Sequence, residues 1–77
     1  MSIPDTLNHY PVIASAPCAV DPSLTVAVVY RRNLFHAYAV VLWEKSYGSA
    51  WIRGDYHSEL SEAARNYDHQ RGVTIAA

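Results

Sequence analysis

The sequence predicts an α+β domain: a three-stranded antiparallel sheet in β-β-β-α order, with one helix packed on one face. Three observations carry that reading. Three segments rich in β-branched and aromatic residues follow one another through links too short for parallel crossovers. The next segment, 58–72, switches to helical spacing, with apolar residues at Leu60, Ala63, Ala64 and Tyr67. Ahead of the strands, Pro4, Pro11, Pro17 and Pro22 punctuate residues 1–23 and argue against a long helix there. The chain therefore reads as one domain made of an N-terminal arm, 1–23, and a β-β-β-α unit, 24–77.

Each element has its own signal. In the arm, "YPVIASA" suits an edge strand or an extended arm, because Tyr10, Val12 and Ile13 need apolar surroundings. "LTVAVVYR", 24–31, is the first strand of the unit, "FHAYAVVLWEK", 35–45, the second and "SAWIRGDY", 49–56, the third. Arg32-Asn33 is the expected turn between the first two, since asparagine tolerates the left-handed region. Tyr47-Gly48 is the turn between the second and third. Those turns pair Tyr30 with Phe35 and Trp43 with Ile52. In the helix, Ser58 is the expected N-cap, Glu59 and Glu62 suit the positive end of the macrodipole, and Gly72 suits the residue after the last turn. "VTIAA", 73–77, reads as a further edge strand or a packed tail.

This register sorts the sheet into two faces. One carries Val26, Val28, Tyr30, Phe35, Ala37, Ala39, Val41, Trp43, Ile52, Gly54 and Tyr56, and the helix is expected to lie on it over Ala37 and Ala39. The other carries Ala27, Val29, Arg31, Leu34, His36, Tyr38, Val40, Leu42, Trp51, Arg53 and Asp55. Tyr38, Val40, Leu42 and Trp51 make that second face too apolar to stand in water. Three covers suit it: the arm, a second copy forming a homodimer, or a larger protein. For the last, Tyr38, Trp51 and Arg53 are the expected anchors, with His36, Arg31 and Arg32 at the rim.

Composition narrows the chemistry. A chain with 51% hydrophobic and 17% charged residues is not a disordered one. Its net charge is -1, and Arg31-Arg32 is the one evident basic pair, which argues against direct nucleic-acid binding. No apolar run is long enough to span a bilayer as a helix, and no signal peptide opens the sequence, so a cytoplasmic protein is expected. Cys18 is the single cysteine, so neither an intramolecular disulfide nor a thiolate zinc site can form. His9, His36, His57 and His69 show no metal-ligand spacing, although Asp55 and His57 alternate on a strand end and could share a ligand. Ser58 and Cys18 lack a glycine-framed nucleophile context. No catalytic residue, metal or cofactor is expected. A small hydrolase is the weakest of the readings, and the acids of 53–72 have a sufficient role in building the helix.

The order strand, strand, strand, then "RGDYHSELSEAARNY" resembles the amino-terminal part of HicB-type antitoxins over residues 24–71. There a third strand ends in a glycine-acid step and a helix follows that opens in small and acidic residues. The resemblance implies the β-β-β-α fold and a toxin as partner. The same order looks like a double-stranded-RNA-binding fold without its first helix, a family whose final helix opens in basic residues where Glu59 and Glu62 stand here. In size and character the chain resembles small phage-encoded inhibitors of the anti-CRISPR kind. That resemblance implies a non-enzymatic inhibitor that blocks a larger host protein or ribonucleoprotein complex by surface contact.

Overall fold

A computed structural model describes residues 3–32 and 35–72. The class is α+β as expected, but the antiparallel sheet has five strands rather than three. They run β1 (Thr6–Leu7), β2 (Tyr10–Pro17), β3 (Thr25–Tyr30), β4 (Tyr38–Trp43) and β5 (Arg53–His57), followed by helix α1 (Leu60–Gln70). Strand order in space equals order in sequence, so every strand pairs with its neighbours in the chain. The two additional strands come from the arm, and one sheet spans the expected boundary at residue 23. The expectation for 73–77 lies outside the described residues.

The arm folds because its prolines fall where a sheet tolerates them. Pro17 lies in the stretch of β2 beyond its short pairing with β1, where β2 is an edge strand, and Pro11 lies opposite Thr6 of β1, one residue before the pairing of β2 with β3 begins at Val12. Asn8 and His9 join β1 to β2 with φ of 49° and 69°, the positive values that a two-residue hairpin turn needs. The pairing of β2 with β3 shifts register between Val12 and Ala14, a bulge that bends the strand. Val12 therefore packs on one side of the sheet, and Ala14 and Ala16 on the other. At the hairpin tip, the Asn8 N–H donates to the Ser49 carbonyl at 2.7 Å and ties the arm to the loop between β4 and β5.

Both sides of the central strands are covered. On one side Leu7, fully buried, packs with Ala27, Val29, Ala39, Val41 and Trp43, with Ile3, Tyr10, Val12 and Trp51 closing around them. On the other, Ala63 of α1 packs with Val26, Val28 and Val40, flanked by Tyr38, Leu42 and Tyr67. The helix thus lies over Val26 and Val28 of β3 as expected, but over the other face of β4, meeting Val40 rather than Ala37 and Ala39.

The register explains the exchange. The pairing of β4 with β5 is the expected one: Leu42 opposes Arg53 and Val41 opposes Gly54, a series that places Trp43 toward Ile52. Its turn is longer than two residues, since β4 ends at Trp43 and a 3₁₀ turn at Lys45–Tyr47 precedes Gly48, which takes a φ of 62°. The pairing of β3 with β4 differs. Tyr30 opposes Tyr38 instead of Phe35, and the Arg31 N–H donates to the Ala37 carbonyl at 2.5 Å, closing a loop wider than the two-residue turn expected at Arg32-Asn33. The shift is three residues, an odd number, so β4 and β5 are turned over relative to β3, and Val40 rather than Ala39 shares a side with Val26 and Val28. Phe35 is left in the loop and is 87% exposed.

The helix also begins later than expected. Glu59 rather than Ser58 occupies the N-cap, without a side-chain cap bond. Its inward positions are Ala63, Asn66, Tyr67 and Gln70, whereas Leu60 and Ala64 face outward. Gly72 follows the last turn as expected, its N–H donating to the His69 carbonyl. No helix among the described residues is long and apolar enough to cross a membrane.

Candidate interaction surface

The six residues expected to bind a partner do not share one face. Tyr38 is half-buried on the helix side, its ring 5.4 Å from that of Tyr30. Arg53 is exposed and lines a cleft on that same side. The patch of Tyr38, Val40 and Leu42 on which docking or homodimerisation was expected lies with α1, and Val40 is buried beneath it. Trp51 packs on the opposite side, against the Leu7 cluster. Arg32 and His36 are exposed in the β3–β4 loop, where the His36 ring meets that of Phe35 edge-on at 4.9 Å.

Arg31 and Trp51 do come together, through residues that sequence reasoning did not select. The Arg31 guanidinium lies 4.4 Å from the centre of the Tyr56 ring and 5.9 Å from that of Tyr10. Tyr10 in turn lies 6.4 Å from Trp51. The result is a surface in the order Tyr56, Arg31, Tyr10, Trp51, contributed by β5, the residue that follows β3, the start of β2 and the β4–β5 loop. Gly54 makes this packing feasible. A Cβ there would sit 3.2 Å from Trp51 Nε1 and 3.3 Å from Val41 Cγ1, so a side chain would push the indole away.

Stacking on the Tyr56 ring restricts the rotamers open to the Arg31 guanidinium. The guanidinium retains N–H groups able to take a carboxylate. Among the described residues the ion pair found is Arg71 with Asp68, and no carboxylate among them pairs with Arg31. Tyr56 is 46% exposed, and Arg31, Tyr10 and Trp51 are half-buried, which leaves each able to bury more surface on contact. Tyr10 escaped selection because it lies in the arm. Tyr56 escaped because the expected register set it under the helix.

A polar cluster lies on the helix side of the sheet. Asn66 Nδ2 is 3.2 Å from Asp55 Oδ2 and 3.0 Å from His57 Nε2, and Gln70 Nε2 donates to Asn66 Oδ1 at 2.9 Å. One amide thus bridges the two residues whose alternation the sequence had singled out, and it docks α1 to β5. Ser58 is exposed and Cys18 is buried. Among the described residues no group of three or more histidine, cysteine, aspartate or glutamate side chains could hold a metal ion. Burial raises the Tyr67 hydroxyl above its ordinary range, against an opposing effect of Arg71, whose guanidinium is 5.2 Å from the ring centre. No family model matches this chain, and no curated protein or solved structure matches it.

Proposed function

We propose that this chain acts by binding another protein, without catalysis, and that the surface of Tyr10, Arg31, Trp51 and Tyr56 is where it does so. The observation that carries the reading is the Arg31 guanidinium set against Tyr56 and Tyr10, with Trp51 beside them. Tyrosine, tryptophan and arginine are the side chains that dominate interface energetics, because they bury large area and keep a polar handle. Arg32, Phe35 and His36 are exposed in the loop that follows Arg31. In kind, the protein is an inhibitor that occupies a larger host complex, and its most specific form is an anti-CRISPR protein blocking a CRISPR effector ribonucleoprotein.

The experiment is a phage plating assay in a CRISPR-active host, run beside equilibrium binding to the purified effector complex. Arg31→Ala with Tyr56→Ala removes two central contacts, and a loss of about 2 kcal/mol corresponds to roughly thirtyfold weaker binding. A folded double variant that binds and protects phage as well as wild type sinks this surface. A wild-type chain that neither binds nor protects sinks the anti-CRISPR form.

The order of β3, β4, β5 and α1 favours a second reading, a HicB-like protein that binds a toxin. Rescue of growth when the chain is co-expressed with a HicA-type ribonuclease toxin would select it over the first.

A further inference from the structure

On the helix side of the sheet, away from the surface just described, the C-terminal half of α1 leaves a cleft of about 310 Å³ against β4 and β5. Its lining includes apolar Val40 and Leu42 from β4, charged Arg53 and Asp55 from β5, and amide-bearing Asn66 and Gln70 from α1. We propose that this cleft is a binding site for a small zwitterion of the α-amino-acid class with a compact apolar side chain.

Three features point to that chemistry. Arg53 and Asp55 stand two positions apart on β5, opposite Leu42 and Val40 respectively, so a cation and an anion project to one side of one strand. They are not paired with each other, since the ion pair among the described residues is Arg71 with Asp68. Asp55 is also held in place. Its Oδ2 accepts from Asn66, whose own oxygen is fixed by Gln70, while Oδ1 has no hydrogen bond among the described residues. A positioned carboxylate with an open oxygen suits an ammonium donor, and the arginine fork suits a carboxylate. Between them Val40 and Leu42 offer apolar ground for a side chain.

Size and charge exclude the main competitors. Small-molecule sites run from about 300 to 1,000 Å³, so this cleft is at the lower limit and too small for a nucleotide or a large cofactor. Asp55 would repel a phosphate dianion approaching Arg53.

The test is a titration of the full chain followed by backbone amide shifts, with L-leucine as probe and L-valine and L-methionine as size neighbours. Saturable shifts at 40–42, 53–55 and 66–70, half-complete at or below about 1 mM, are expected for at least one of the three. 4-Methylpentanoate lacks the ammonium and 3-methylbutylamine lacks the carboxylate; each should bind at least about tenfold more weakly than leucine. Arg53→Gln and Asp55→Asn should each lower the affinity by a similar factor while keeping the native spectrum elsewhere. The proposal is overturned if none of the three amino acids gives saturable shifts. It is also overturned if the single-charge analogues bind as well as leucine, or if folded Arg53→Gln and Asp55→Asn bind it unchanged.

Discussion

Leu7→Ala is the most informative single change in this protein. Leu7 belongs to a strand of only two residues, yet it is fully buried and sits at the centre of the cluster on the arm side of the sheet. Truncation removes three carbons, worth about 2.4 kcal/mol at roughly 0.8 kcal/mol for each. A cavity term adds to this, because the facing Ala27, Ala39 and Val41 lie in central strands that cannot collapse into the void. The short strand can move inward and recover part of it, so about 3 kcal/mol is expected. For a domain of this length the whole stability is roughly 4–12 kcal/mol. The melting temperature should fall by roughly 12–24 °C, at about 4–8 °C per kcal/mol. Urea unfolding followed by tryptophan fluorescence measures it, since Trp43 and Trp51 both adjoin the Leu7 cluster. Ile13→Ala, at a half-exposed position of β2, is the control and should cost less than about 1 kcal/mol. A Leu7→Ala variant within about 0.5 kcal/mol of wild type would show that the arm does not cover this face in solution.

Three further outcomes follow from the same packing. Ala63→Glu places a charge in the seam between α1 and the sheet, where Ala63 is fully buried, and should cost several kcal/mol in chemical denaturation, on the order of 3 or more. Asn66→Ala breaks the bridge to Asp55 and His57 and should cost about 1–2 kcal/mol, with faster hydrogen exchange at the α1–β5 contact than elsewhere. Tyr67 has a folded pKa raised by burial, so its contribution is intact below the unfolded value near 10 and is lost as pH rises through the higher folded value. Stability should therefore fall more steeply with alkali in wild type than in Tyr67→Phe, as judged by denaturation midpoints either side of pH 10.

How far the fold was legible depended on what each segment had to distinguish. The helix stripe centred on Ala63 and Tyr67 is visible because one face of α1 meets the sheet and the other meets water. The register of β4 on β5 is visible because Gly48 marks its turn. The register of β3 on β4 is not. Val26, Ala27, Val28 and Val29 are all buried, as are Ala39, Val40 and Val41, so either face of either strand satisfies an apolar pattern. Alternation then carries no information, and a weak turn signal at Arg32-Asn33 decided the pairing by default. The arm was opaque for a related reason. Its prolines are a poor omen for a central strand but are tolerated at an edge, and no local signal says which edge is meant. Since Tyr10 lies in the arm and Tyr56 depends on the register, the candidate surface could not be assembled from the sequence, although Arg31 and Trp51 were picked out.

The two-residue turn at Asn8-His9 has a consequence for synthesis. All strand pairings in this sheet join neighbours in sequence, so most of the fold can form as the chain lengthens. The arm is the exception. Leu7 and Tyr10 leave the ribosome before Ala27, Val41 and Trp43 exist, and at roughly 5–20 residues per second they wait some seconds for the surface they are to cover. In that interval the nascent arm offers Ile3, Leu7 and Tyr10 to whatever is nearby, including the arms of other chains on the same messenger. A tight two-residue turn at Asn8-His9 shortens the exposed stretch by folding it on itself early, since hairpins close within microseconds. The turn therefore bears on the yield of folded protein as much as on its final stability.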